Sequence, residues 1–166
     1  MEDAKVEYDD EYLSTLLPIQ DYFGPLENAY FIKKITVIKD EKVHHLIVDG
    51  CSDFVDGTAK AASTYKVNCR NKEILFAWAL NADPLTLPES SAIMVGGASG
   101  INSIKIECHY KDKFAGVDDL TGIEVEYEEK APERLVGIFL IGAMGFYLKP
   151  HEWTDVHCGC PHKGCT

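Results

Sequence analysis

Residues 104–110 read IKIECHY, and residues 122–128 read GIEVEYE. In the first stretch Ile104, Ile106, Cys108 and Tyr110 alternate with Lys105, Glu107 and His109. In the second, Ile123, Val125 and Tyr127 alternate with Glu124, Glu126 and Glu128. An extended chain turns successive side chains to opposite faces, so a period of two marks a half-buried antiparallel strand. Cys108 then belongs with the core, and His109 lies accessible on a polar face beside Lys105 and Glu107. Short strands separated by turn signals predict an all-β fold, an antiparallel β-sandwich of jelly-roll type.

Upstream, residues 30–48 hold two further strands. Ile32, Ile35, Val37 and Ile38 form the first, Lys39-Asp40-Glu41-Lys42 is the polar turn, and Val43 begins the return. Residues 50–66 are rich in Gly, Ser, Ala and Asp and read as a loop. The segment EILFAWAL at 73–80 suits a short helix or a buried strand equally well. Pro84, Pro88 and Gly96-Gly97 punctuate the next stretch of chain. Residues 135–148, LVGIFLIGAMGFYL, are fourteen residues with three glycines. That is short of the roughly 20 a membrane-spanning helix needs, so no span is expected, and the run reads as one or two buried strands. The organisation expected is a flexible acidic N-terminus at 1–10, one β-sandwich domain at 11–157 and a cysteine-rich tail at 158–166.

A chain of 166 residues can bury one sizeable core. Its formal net charge of −11 argues against a nucleic-acid partner, which would call for basic side chains against phosphate. The N-terminal MEDAK has no apolar leader, which fits either a cytosolic protein or one whose leader has been cleaved. Six cysteines, at 51, 69, 108, 158, 160 and 165, suit a secreted protein with a few disulfides or an intracellular one with a metal cluster.

Two constellations carry chemistry. The first is His44-His45 with His109: three imidazoles and an open position make a usable site for copper, zinc, nickel or iron. Neighbouring residues on a regular strand point to opposite faces, so the adjacent pair can share a metal only where the strand ends, twists or bulges. The alternative is two surface histidines and an unrelated third. The second constellation is the tail HCGCPHKGC, with His157, Cys158, Cys160, His162 and Cys165. Its spacing departs from the usual zinc knuckle, and disulfide pairing is favoured over zinc. His151 reads as a turn residue. The glycines of Val95-Gly96-Gly97-Ala98-Ser99-Gly100 do not make a phosphate loop, because no Lys-Ser/Thr follows and a strand comes next. Ser90-Ser91 has no nucleophile elbow around it.

The order HHLIVDGC (44–51), CRNKEILFAWAL (69–80), VGG (95–97), IECHY (106–110) and DLTGIEVEY (119–127) resembles the N-terminal domain of the copper type II, ascorbate-dependent monooxygenases. The likeness runs over roughly residues 11–158. It implies that His44, His45 and His109 hold one copper ion, the one that passes an electron, and that Cys51 and Cys69 form a disulfide. It implies ascorbate as reductant and a secreted or vesicle-lumen location. Two departures stand out. Ser14 takes the place of a family cysteine, whose partner before Cys69 is also absent. The second β-domain, which in the family binds the oxygen-activating copper, is expected to be missing here. The function expected is the electron-transfer half of a monooxygenase that hydroxylates an aliphatic C–H, working with a second copper-binding domain or chain. The alternative is a stand-alone secreted copper-binding or carrier protein. The sequence does not choose the peptide or small-molecule substrate.

Overall fold

The computed structural model describes residues 6–38, 41–54, 67, 69–113, 119–141 and 145–157. Its strands are β1 (Glu11–Pro18), β2 (Ala29–Ile38), β3 (Val43–Cys51), β4 (Asp53–Phe54), β5 (Cys69–Arg70), β6 (Glu73–Ala79), β7 (Leu85–Thr86), β8 (Ser91–Gly96), β9 (Ser103–Tyr110), β10 (Gly122–Glu128) and β11 (Arg134–Leu135). One four-residue helix, α1 (Ile19–Tyr22), follows β1. The strands build a sandwich. One sheet runs β1-β9-β3-β6, all antiparallel. The other runs β10-β2-β8-β11, with β7 also on β2, and its β8–β11 pair is parallel.

The core lies between the sheets. Leu46, Val48, Ile104, Ile106 and Cys108 face it from the first, and Ile32, Ile35, Ile93 and Val95 from the second. The segment 73–80, open to either reading in the sequence, is the strand β6, with Trp78 buried on the core face. Gly50 is required by packing. A Cβ there would lie 2.8 Å from Cδ1 of Ile101 and 3.1 Å from its Cγ1 and Cγ2.

Residues 30–48 hold two strands around a turn, as expected, with β2 in one sheet and β3 in the other. Three expectations are changed by the structure. β9 is not half-buried. It lies between β1 and β3, and both its faces are covered, so Lys105 and His109 are buried with the apolar residues. Of the N-terminal segment expected to be loose, Val6 is buried, and the backbone N–H groups of Glu7 and Tyr8 both donate to Oε2 of Glu11. The apolar run 135–148 does not form buried strands among its described residues. β-pairing stops after Leu135, and Phe139, Leu140, Ile141, Tyr147 and Leu148 are exposed. Apolar composition makes burial favourable, but among the described residues no layer of the sandwich lies over the described part of this run.

Candidate metal centre

Cross-strand register brings the first constellation together. His45 on β3 stands opposite His109 on β9, and Tyr12 on β1 stands opposite His109 on its other side. The next pair, Val43 and Tyr110, is reached by skipping one residue of β3, so His44 is the extra residue of a β-bulge. A bulge lets two neighbours turn to one side of a sheet, which is what the adjacent histidines need. All three rings lie on the outer face of the first sheet. His44 is exposed, His45 half-buried, and His109 only 8% exposed. The small Ala79 of β6 stands opposite His45 and leaves room for its ring.

The three Nδ1 atoms form a nearly equilateral triangle. His44 to His109 is 3.3 Å, His45 to His109 is 3.3 Å, and His45 to His44 is 3.4 Å. Hydrogen bonding alone does not satisfy this arrangement. A neutral imidazole nitrogen either donates or accepts, so at least one of the three pairs must set two protons or two lone pairs against each other. A cation among three lone pairs removes the conflict. The point equidistant from the three nitrogens is about 1.9 Å from each, close to the roughly 2.0–2.1 Å of a metal–imidazole bond. The residues present therefore fit a metal ion, and an all-imidazole donor set suits copper, zinc, iron or nickel. No other cluster of three or more His, Cys, Asp or Glu residues with metal-ligating spacing occurs among the described residues.

The surroundings of His45 favour its neutral form. Burial, then the neighbouring His109 and His44 rings, push His45 below the ordinary imidazole value, so it is ready to bind without first losing a proton. The ring of Tyr12 stacks on His109, centroids 4.3 Å apart and 10° from parallel. Cys108, next to His109 in sequence, faces the opposite side in the core, and burial pushes its thiol up to about 12, so it stays protonated and apart from the centre.

Further along the same face two buried charges, Asp49 and Lys105, are paired with each other, with half-buried Glu107 and with exposed Lys72. Lys105 Nζ is 2.6 Å from Glu107 and 4.0 Å from Asp49, and Lys72 reaches Asp49 at 2.9 Å. Burial pushes the Asp49 carboxyl up, against the pull of Lys72 and then Lys105. Pairing is what makes this burial tolerable.

Cys51 and Cys69 are disulfide-bonded, with Cα atoms 5.6 Å apart. Ser14 accepts a hydrogen bond from the backbone N–H of Val67 at 2.8 Å, so at this position a polar contact ties β1 to the chain before Cys69. His151 sits at φ 61° in an exposed turn. Cys158, Cys160, His162 and Cys165 lie outside the described residues.

Residues 1–115 match the model of the copper type II ascorbate-dependent monooxygenase N-terminal domain. The chain belongs to this family. The match contains all three histidines and both disulfide cysteines. Among curated relatives, the Xenopus laevis peptidyl-glycine alpha-amidating monooxygenase B is 30% identical over 164 residues, covering 90% of this chain and 17% of the relative. The Rattus norvegicus peptidylglycine alpha-amidating monooxygenase is 29% identical over 139 residues, 80% of this chain and 14% of the relative. Dopamine beta-hydroxylase of Equus caballus is 30% identical over 145 residues, 80% of this chain and 23% of the relative. The chain thus spans a small fraction of each relative's length. The family's chemistry is copper- and ascorbate-dependent, and the histidine cluster is where this chain has residues fit for a metal.

Sequence reasoning missed Tyr12 and the whole of β1. The signal for β1 was present in EYLSTLLP, a Tyr-, Thr- and Leu-bearing run closed by Pro18. Nothing in the sequence pointed to a stacking partner for His109, because that contact is made across 97 positions of chain between two strands paired only in the fold.

Proposed function

We propose that this chain is a copper-binding redox domain, and that His44, His45 and His109 hold one copper ion through Nδ1. The observation that carries the reading is the triangle of three converging Nδ1 atoms. Copper bound there would supply one-electron exchange with a reductant such as ascorbate. The bulge at His44 and the β3–β9 register hold the three imidazoles on one side of a rigid sheet, so little ligand motion is needed between oxidation states. Tyr12 covers His109 and limits water on that side, while exposed His44 leaves the other side open to a small reductant. Within the family's chemistry this is the electron-supplying role, with hydroxylation of an aliphatic C–H at a second copper centre carried by another domain or chain. The disulfide supports a secreted or vesicle-lumen location, since such bonds persist in oxidising compartments. The relatives' names point to a peptidyl-glycine or dopamine-like substrate class, and no residue of this chain chooses between them.

The test is competition for copper(I) against a chromophoric chelator, with ascorbate reduction of the copper(II) form followed by absorbance and electron paramagnetic resonance. One copper per chain is expected, lost or strongly weakened in His44→Ala, His45→Ala and His109→Ala. The purified chain should cycle its copper with ascorbate without hydroxylating a glycine-extended peptide or a phenylethylamine. Three single variants that bind copper like the parent would remove the site. Substrate-coupled hydroxylation with one copper bound would overturn the division of labour.

A further inference from the structure

We propose that Asp10 is a positioning residue for His109: its carboxylate accepts the Nε2–H of that ring and holds Nδ1 turned toward His44 and His45. The inference rests on the copper reading above. If Nδ1 is the ligand, its lone pair faces the metal and the ring proton sits on Nε2. That atom is buried and has no hydrogen-bond partner among the described residues. A buried donor left unmade is costly, and a metal-bound imidazole characteristically gives its second N–H to a carboxylate, a carbonyl or water. Oδ1 of Asp10 stands 3.4 Å away, at the edge of hydrogen-bond reach.

The turn that carries Asp10 is built to keep it there. Asp10 has φ 59°, a left-handed conformation that aspartate tolerates better than most residues. Its N–H donates to the carbonyl of Lys111 at 3.0 Å, and Oδ1 of Asp9 accepts from the N–H of Lys113 at 3.0 Å. Together with the Glu11 carboxylate on Glu7 and Tyr8, these bonds fasten the turn over the end of β9. The Asp10 side chain itself is 78% exposed and free to close the remaining fraction of an ångström.

Asp10 would do what Tyr12 does not. Stacking on Tyr12 fixes the plane of the His109 ring, but the same plane is kept if the ring flips by half a turn about its bond to Cβ. The flip would replace Nδ1 by a carbon at the metal and Nε2 by a carbon at Asp10. Only a contact that distinguishes nitrogen from carbon selects one form, and the Asp10 carboxylate is such a contact. It also selects the tautomer with the proton on Nε2.

The experiment uses the whole chain as parent, Asp10→Ala, Asp10→Asn and His109→Ala. Copper(I) affinity, the copper(II) paramagnetic resonance spectrum and metal-free thermal unfolding are measured for each. Asp10→Ala should weaken copper(I) binding about 10- to 100-fold and change the spectrum, as loss of such a partner does elsewhere. Asp10→Asn keeps an oxygen that accepts the same N–H, so it should recover most of that loss and the parent spectrum. Asp10→Asn should unfold like the metal-free parent, whereas Asp10→Ala should unfold somewhat earlier because alanine tolerates φ 59° poorly, so copper is titrated well below its transition. Asp10→Ala binding within about twofold of the parent while His109→Ala fails would overturn the proposal and spare the copper site. An Asn variant as weak as Ala would overturn it too. His109→Ala binding like the parent would instead overturn the copper reading itself.

Discussion

Replacing both Cys51 and Cys69 by alanine should destabilise the fold by about 3 kcal/mol while leaving the metal centre nearly intact. The cysteines are 18 positions apart. Cross-linking ends so separated removes loop-closure entropy from the unfolded chain, and the chain-entropy relation for such a loop gives about 3 kcal/mol. For a domain of this size that corresponds to a fall in melting temperature of roughly 6–12 °C. The bridge sits at the far end of β3 from the histidines. His45 and Cys51 are six residues apart on one strand, about 20 Å at the usual rise. The β3–β9 pairing that aligns His45 with His109 does not pass through the bridge. Urea unfolding of parent and double variant under non-reducing conditions, with copper(I) titration of both, is the assay. The variant's slope against urea should also rise, because its unfolded chain is less compact and exposes more surface. A loss under about 1 kcal/mol would refute the loop-entropy argument. A collapse of copper affinity in a still-folded variant would refute the separation of bridge and site.

Three further outcomes rest on single residues. Cys108 should resist alkylation at pH 8 about a thousandfold better in the folded than in the unfolded chain, by peptide mapping, because it is fully buried and its thiol is pushed up to about 12. Gly50→Ala should cost about 1–3 kcal/mol by denaturant unfolding, since its Cβ would press on Ile101 at 2.8 Å. His45 has a folded value below the ordinary imidazole value of about 6.5, so its contribution to metal-free stability has a definite sign. Below the folded value both states hold the proton and the penalty for a charged, partly buried ring is fully present. As pH rises toward the unfolded value, the unfolded chain keeps a proton the folded chain has released, so stability climbs, and above it the penalty is gone. His45→Gln should flatten this rise between the folded value and about pH 7, and an unchanged slope would contradict it.

What was legible in the sequence and what was not divide along physical lines. The strand nature of 104–110 and 122–128 came from a period of two, which belongs to the extended backbone itself and needs no neighbour. The burial of those strands was not given by that period. Glu124, Glu126 and Glu128 lie on an edge strand and are exposed as their alternation suggests, whereas Lys105 and His109 lie on an interior strand and are buried. The same limit applies to residues 30–48, whose polar turn was plain but whose crossing from one sheet to the other depends on which strands arrive later in the chain. The three histidines were legible as candidates by residue type. Their convergence needed a bulge, and a bulge is a property of register between β3 and β9, 65 positions apart, which no local pattern records. Asp10 and Tyr12 were invisible for that reason too. The apolar run at 135–148 misled in the opposite direction, because a run of apolar residues reports a preference for burial and not the presence of a covering surface.

One copper ion at the meeting point of His44, His45 and His109 would be visible in a crystal. The most direct measurement is anomalous diffraction at the copper edge from crystals of the copper-loaded chain. One strong peak per chain is expected, about 2 Å from the Nδ1 atoms of all three rings, with Nε2 of His109 turned away from it. A peak elsewhere, such as at the cysteine-rich tail, or copper held through fewer than three of these imidazoles, would contradict that site.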